Sequence, residues 1–332
     1  MRFGDIDPFG PALSPVALGV ILGLVWIYLR GAARQRLLRE PVGRIRHLLF
    51  GASIIVLLGG LDGPLAAAGQ RLFALHQIQH LLIRLIGPML MVLAYPWPVL
   101  RAGLPRDARR RLRDFGDHPI GQFAKRVLTR LDVSFVLLVG TLYVWQVPVL
   151  HNGALSAPPL ALLAHASMVF AGLLFFAVVL DRRDAPLGAV QSLRLMTLSG
   201  AIVSNILLGA LTTLKEVVLY TGYDAAGRLW NLAPLADETA GGYAIWVPSS
   251  FVFIIAIMLV FIGWNRAELR RWNARHVWTG SNSAALEFPQ TAFELRLKVA
   301  GPNRRMARAL ALVPGAMFVI VMITSIMIVY AF

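Results

Sequence analysis

The sequence predicts an all-α membrane protein, a polytopic bundle of about eight transmembrane helices with both termini on the outer side. Three observations favour this fold class. Of the 332 residues, 57% are apolar and 15% are charged, and the mean hydropathy is +0.66, whereas a soluble domain carries about 25% charged residues. Long runs without charge recur along the chain. The connections between these runs are alternately rich and poor in basic residues.

The uncharged runs mark the predicted spans. A helix needs about 20 mostly apolar residues to cross about 30 Å of hydrocarbon. We predict spans at residues 12–29, 48–68, 72–97, 133–150, 159–180, 195–214, 243–264 and 309–331. The second span is the least regular, because Gly59, Gly60, Gly63 and Pro64 weaken the helix after residue 58.

The basic residues predict the topology. There are 32 Lys and Arg residues against 17 Asp and Glu, a net charge of +15. Most of the basic residues lie in the connections 30–47, 101–131, 181–194 and 265–308, which the positive-inside rule assigns to the cytoplasm. The charge therefore indicates contact with anionic membrane lipids, not with nucleic acid. Residues 1–264 form a predicted seven-span domain, 265–308 a basic connection with an amphipathic segment, and 309–332 an extra C-terminal span.

Histidines inside the spans are the main candidates for a metal site. The chain has no cysteine, so a metal ion must be held by other side chains or by the backbone. His76 and His80 have i, i+4 spacing and share one helix face, and His165 lies at a matching depth on the outer side. Imidazoles suit copper, zinc, iron and nickel. His151 or Met168 is a candidate fourth ligand. The alternative is that these histidines only pack and hydrogen bond.

Charged residues in or near the spans are the second group of candidates. Arg84 lies one turn beyond His80, and a guanidinium inside a membrane needs an anion, carbonyls or a cavity. Its two alternatives, structural pairing and ligand contact, stay open. Asp62, Asp237 and Glu238 gather at the predicted outer mouth, where they would relay or gate an incoming cation; the alternative is a solvated loop.

The sequence lacks the motifs of the common enzyme classes. It contains no Walker loop, no GxSxG, no HExxH and no GxGxxG behind a strand. It also has no soluble segment long enough for a substrate-binding domain. We therefore predict that the protein is not an enzyme. A transporter is less favoured because no inverted repeat is visible.

Four segments in order resemble a known family. They are residues 73–82 (FALHQIQHLL, followed by Gly87 and Pro88), 144–155, 165–176 and 237–248. This pattern is similar to that of the CtaG family of cytochrome c oxidase assembly factors, over about residues 45–265. Three features depart from it: Gln146 stands where a histidine is expected, an aromatic residue is expected near His151, and Arg84 stands where the family is usually apolar.

The resemblance implies a multi-pass protein of the bacterial inner membrane that helps to assemble heme–copper oxidases and to supply their copper. His76, His80 and His165 match family histidines, and Asp237 matches an acidic position. The implied partners are cytochrome c oxidase subunits and a periplasmic copper donor. Two alternatives remain: a heme-binding or electron-transfer protein, in which Arg84 meets a heme propionate, and a scaffold without metal.

Overall fold

A computed structural model describes residues 15–39, 41–183, 188–225, 227–276 and parts of 300–323. Every regular element in this part of the chain is helical, which confirms the predicted fold class. The helices are α1 Pro15–Leu37, α2 Arg44–Leu61, α3 Pro64–Gly69, α4 Phe73–Leu81, α5 Gly87–Ala94, α6 Trp97–Gly103, α7 Arg106–Asp117, α8 Pro119–Leu128, α9 Leu131–Val144, α10 Pro148–Ser156, α11 Pro158–Val179, α12 Gln191–Leu214, α13 Gly222–Ala225 and α14 Pro234–His276. A π-helical turn over Leu82–Ile86 joins α4 to α5, and a 3₁₀ turn covers Leu229–Asn231.

The chain forms two compact units. The first contains the described residues up to Asp181 together with Ser204–Val252, and the second contains Arg182–Val203 and the described residues from Phe253 onward. In the first unit α2 packs on α5, α1 on α6, and α11 on α9, on α5 and on the π-helical turn. In the second unit Arg194 donates to the carbonyls of Ala189 and Arg183 at 3.0 and 2.8 Å, which ties the start of α12 to the preceding segment.

Most of the predicted spans correspond to helices. Five helical stretches of the described residues are long and apolar enough to cross a membrane: Arg44–Gly69, Phe73–Ala94, Pro158–Val179, Gln191–Leu214 and Pro234–Arg270. A sixth results if α8 and α9, which meet at a 72° bend, count as one span. The first predicted span overlaps α1, which is not among these, and most of 309–331 lies outside the described residues. The chain is therefore a multi-pass membrane protein, while eight spans and outer termini stay predictions.

The predicted span 133–150 is too long at its end. Helix α9 ends at Val144, and a new helix, α10, begins at Pro148. Proline has no N–H and favours the first turn of a helix, so the chain turns over residues 145–147 and starts again. This break places His151 on a short helix of its own, outside the membrane-spanning helices.

The last shared span begins earlier than predicted. Helix α14 starts at Pro234, so Asp237 and Glu238 lie in its first turns instead of in a preceding loop. Proline at a helix start and acidic residues in the first turn are both favourable, because the helix dipole is positive at that end. The sequence contains these signals, which a hydropathy criterion overlooks.

The π-helical turn has a cause in the sequence. Pro88 cannot donate a backbone hydrogen bond, so the carbonyl of Arg84 loses its usual α-helical partner four residues on. Gly172 of α11 packs directly against this carbonyl: a Cβ at residue 172 would lie 2.0 Å from the Arg84 oxygen. The hydroxyl of Ser53 on α2 donates to the carbonyl of Gly87 at 2.8 Å. The irregular backbone is thus enclosed by neighbouring helices, as a membrane interior requires.

Candidate metal centre

Three of the predicted ligands come together in the first unit. His76 and His80 are buried on α4, and their Nε2 atoms lie 2.9 Å apart. His165 approaches from α11, with its ring centroid 6.1 Å from that of His80. One ring nitrogen from each of the three lies within 4.8 Å of the others. The i, i+4 spacing and the matched depth therefore predicted a real convergence of imidazoles.

The three histidines border a small cavity. Its other lining residues are Gln70, Trp145, His151, Ala154, Ala161 and Ala164. The space has room for about one water molecule. Nδ1 of His80 is buried without a hydrogen-bond partner in the described part of the chain. A cavity of this size with imidazole nitrogens around it fits a single metal ion.

His151, a further residue of the cavity wall, lies next to His76, with the ring centroids 4.9 Å apart. Its Nδ1 is 3.0 Å from the Trp145 carbonyl, and its Nε2 is 2.7 Å from the Tyr223 hydroxyl. The same hydroxyl lies 3.0 Å from Nδ1 of His76. Burial lowers the pKa of His151 to about 4 and raises the pKa of Tyr223 well above its usual value, so both are neutral near pH 7. Both ring nitrogens of His151 are thus engaged in hydrogen bonds, as are both ring nitrogens of His76.

Met168, in contrast to His151, is not among the residues that line the cavity. It is fully buried and packs with Ile83, Trp145 and Ala164. Although it follows His165 by three residues, its surroundings are those of an ordinary packing methionine. Of the two candidate fourth ligands, the structure therefore brings His151 to the cluster, with its ring centroid 4.9 Å from that of His76, while Met168 lies outside the cavity wall.

Gln146 occupies the position where the family pattern predicts a histidine. Its side-chain N–H₂ donates to the side-chain oxygen of Gln77 on α4. Its main-chain oxygen accepts from the Tyr220 hydroxyl at 2.9 Å. The residue that replaces the expected histidine is thus a buried hydrogen-bonding link between α4 and the turn after α9.

Asp237 anchors the start of α4. Its carboxylate is fully buried and accepts from the backbone N–H groups of Phe73 and Ala74 at 2.8 and 3.0 Å. Arg228 pairs with it at 2.5 Å and also contacts the partly exposed Asp224 at 2.8 Å. Carboxylates at a helix N-terminus satisfy backbone donors and interact well with the dipole. Asp237 therefore fixes the helix that carries His76 and His80.

Glu238 holds the segment that precedes α13. Its buried carboxylate pairs with Lys215 and accepts from the backbone N–H groups of Leu219 and Tyr220, the latter at 2.8 Å. Asp62 caps the end of α2 through its backbone N–H. Asp237 and Glu238 thus both stabilise the local fold through buried ion pairs and backbone hydrogen bonds. Their role in relaying or gating a cation stays a prediction.

Arg84 is buried next to the histidine cluster along the chain. One terminal nitrogen donates to the side-chain oxygen of Asn205 at 2.7 Å. Its Nε and Nη1 have no hydrogen-bond partner in the described part of the chain, and no carboxylate of that part forms an ion pair with it. The partner that the structure gives Arg84 is therefore a neutral amide, so the alternatives of structural pairing and ligand contact both stay open.

Sequence reasoning missed the residues that surround the ligands. Tyr223 comes from a short helix in a connection and has no periodic pattern around it. Asn205 is one polar residue in the otherwise apolar α12. Gln77 sits inside the histidine segment, and its position between His76 and His80 was a usable signal for a polar, enclosed site.

Apolar helices that enclose a cluster of buried histidines define a polytopic helical membrane protein with a polar site inside its bundle. The chain belongs to the family of cytochrome c oxidase caa3 assembly factors (Caa3_CtaG), whose sequence profile matches residues 26–267. This match confirms the resemblance found in the four segments.

The mycobacterial relatives with which the chain aligns are longer proteins. The chain is 26% identical over 272 residues to an uncharacterized protein of Mycobacterium bovis and equally to one of Mycobacterium tuberculosis, which covers 76% of this chain and 39% of each relative. A Mycobacterium leprae protein is 22% identical over 307 residues, or 81% of this chain and 41% of that one. The chain thus spans about two fifths of these relatives. No solved structure matches it.

Proposed function

We propose that this protein assists cytochrome c oxidase assembly in the bacterial inner membrane by binding Cu(I) at His76, His80 and His165 and passing it to an oxidase subunit. The convergence of three imidazoles within 4.8 Å carries the proposal. The protein supplies binding and transfer of an ion, which is not an enzymatic activity. A periplasmic copper donor would load the site from the outer side.

The donor set and the charge around it favour a monovalent ion. Three neutral imidazoles bring no negative charge, and Arg84 adds a positive one about one helical turn from His80. At an effective dielectric constant of about 20, each further unit of positive charge on an ion about 6 Å away costs roughly 3 kcal/mol. Cu(I) therefore fits this site better than Zn(II) or Cu(II).

The dimensions of the cavity favour an ion over a heme. His76 and His80 face each other at 2.9 Å, and the space beside them has room for about one water molecule. A heme iron takes axial ligands from opposite faces of a porphyrin. A visible spectrum of the purified protein tests this second candidate, because a Soret band would favour it over copper.

Loss of the two helix-borne ligands should abolish copper binding. We expect wild-type protein, loaded anaerobically with Cu(I) in detergent, to retain copper after desalting, and His76→Ala/His80→Ala to retain little. The matched control is His47→Ala, which removes an exposed histidine of α2 outside the cluster. Metal analysis checks the result. Equal copper in wild type and the double variant would overturn the proposed site, and unchanged oxidase assembly in cells carrying that variant would favour a scaffold.

Removal of the buried positive charge should broaden metal selectivity. In Arg84→Gln, a neutral amide replaces the guanidinium, so we expect Zn(II) affinity to rise roughly a hundredfold relative to Cu(I) affinity. Arg84→Lys keeps the charge and should keep the selectivity. Competition titrations with chelators of known affinity measure both ions. If the ratio is the same in all three proteins, Arg84 does not select the ion.

A further inference from the structure

A chain of hydrogen bonds runs from a backbone carbonyl to the histidine cluster. It begins at the Trp145 carbonyl, passes through His151 and the Tyr223 hydroxyl, and ends at Nδ1 of His76, with distances of 3.0, 2.7 and 3.0 Å. His151 and Tyr223 are 2% and 0% exposed. No bulk water therefore competes for these groups. Whether each one donates or accepts a hydrogen bond is set by its neighbours in the chain of hydrogen bonds.

The carbonyl at the start of the chain sets the direction of every bond in it. A carbonyl only accepts, so the proton of neutral His151 is on Nδ1 and its Nε2 is an acceptor. The Tyr223 hydroxyl must then donate to His151, and its oxygen accepts from Nδ1–H of His76. This leaves Nε2 of His76 without a proton. Its lone pair faces His80, whose Nε2–H donates to it across 2.9 Å.

We propose that Tyr223 and His151 are positioning residues that hold His76 in the Nδ1–H tautomer, so that its Nε2 lone pair is directed into the histidine cluster. Imidazole ligands of metals commonly donate their other N–H to an oxygen acceptor, which fixes both tautomer and ring orientation. Here the acceptor is the Tyr223 hydroxyl oxygen. It is free to accept from His76 because the hydroxyl donates its own proton to His151. The tautomer assignment stands on the hydrogen bonds alone, and only its purpose, Cu(I) binding, rests on the proposed function.

Two substitutions at residue 151 separate this role from that of a metal ligand or a packing residue. In His151→Gln, the side-chain oxygen accepts from Tyr223, so the direction of the chain is kept. In His151→Leu, Tyr223 has no acceptor and turns its O–H toward His76, which must then carry its proton on Nε2. We expect the first variant to preserve the His76 tautomer and the second to reverse it.

The first readout uses metal-free, full-length protein in detergent. Long-range ¹H–¹⁵N NMR of ¹⁵N-histidine-labelled protein distinguishes Nδ1–H from Nε2–H imidazoles, and the His76→Ala spectrum assigns the signal. We expect Nδ1–H for His76 in wild type and in His151→Gln, and Nε2–H in His151→Leu. An Nε2–H tautomer in wild type, or no change in His151→Leu, would overturn the proposal.

The second readout is Cu(I) affinity, measured by competition with a colorimetric Cu(I) chelator. We expect a 10- to 100-fold loss in His151→Leu and in Tyr223→Phe, and less than a threefold loss in His151→Gln. Tyr220→Phe is the matched control, because it removes a buried hydroxyl that bonds Gln146 instead of His76. Equal losses in His151→Gln and His151→Leu would make His151 a ligand and overturn the positioning role. If wild-type protein binds no Cu(I), the proposed function fails while the NMR result still decides the tautomer.

Discussion

Alanine in place of Gly172 should destabilise the protein and weaken copper binding together. A Cβ at this position would lie 2.0 Å from the Arg84 carbonyl oxygen and 2.9 Å from Cγ of Pro88. Neither atom belongs to a flexible side chain, so α11 must move away from the π-helical turn by about 1 Å. Overpacking of this kind costs about 1–3 kcal/mol. Because His165 lies two turns earlier on α11, we also expect Cu(I) affinity to fall at least tenfold.

Gly140→Ala is the control for this substitution. Gly140 lies in the interior of α9, and a Cβ there would meet nothing within 4 Å. Alanine should leave thermal stability in detergent unchanged or raise it slightly, since glycine is the poorer helix former. Thermal unfolding and Cu(I) competition are measured on both variants. If Gly172→Ala behaves like Gly140→Ala, the close contact between α11 and the π-helical turn is wrong.

Loss of the Asp237 carboxylate should have the largest effect on stability. In Asp237→Ala, Arg228 keeps the Tyr220 carbonyl and, as its charged partner, the partly exposed Asp224, while the N–H groups of Phe73 and Ala74 lose their acceptor. Removing one partner of a buried ion pair typically costs about 3–5 kcal/mol. We expect a fall of this size in unfolding free energy. Copper binding should fall as well, because the start of the helix that carries His76 and His80 is released.

Two further variants separate charge from hydrogen bonding at residue 237. Asp237→Asn retains one acceptor oxygen and should lose less stability than Asp237→Ala. The double variant Arg228→Met/Asp237→Leu removes both charges, and we expect it to be more stable than Asp237→Ala. The exposed pair of Arg130 and Asp132 provides the control, since Asp132→Ala should have little effect. If Asp237→Ala is as mild as Asp132→Ala, the buried anchor does not stabilise the fold.

The convergence of the three histidines was predictable because helical geometry links spacing to position. In a membrane, the hydropathy of a run defines a helix and the basic connections orient it, so depth follows from residue number. His76 and His80 then share a face, and His165 meets them at the same level. The same reasoning located five or six of the predicted spans.

The surroundings of the three histidines were not predictable by these rules. Tyr223 and His151 belong to short helices in connections, whose paths depend on turns such as the one before Pro148. The role of Asp237 depends on Arg228 and on the start of a helix more than 150 residues earlier in the chain. Such long-range pairings leave no periodic pattern in a single sequence. From the sequence alone, the buried carboxylate of Asp237 therefore cannot be distinguished from that of a solvated loop.

The π-helical turn over Leu82–Ile86 determines how the two halves of the span Phe73–Ala94 are rotated relative to each other. If the same residues formed a regular α-helix instead, α5 would be rotated by about 100° relative to His76 and His80, because the π-helical turn takes up one extra residue. The carbonyl of Gly87 would then leave the Ser53 hydroxyl, and the face of α5 that packs on α2 would point elsewhere. The π-helical turn thus sets the rotational phase between the face of α4 that carries the histidine pair and the face of α5 that packs on α2.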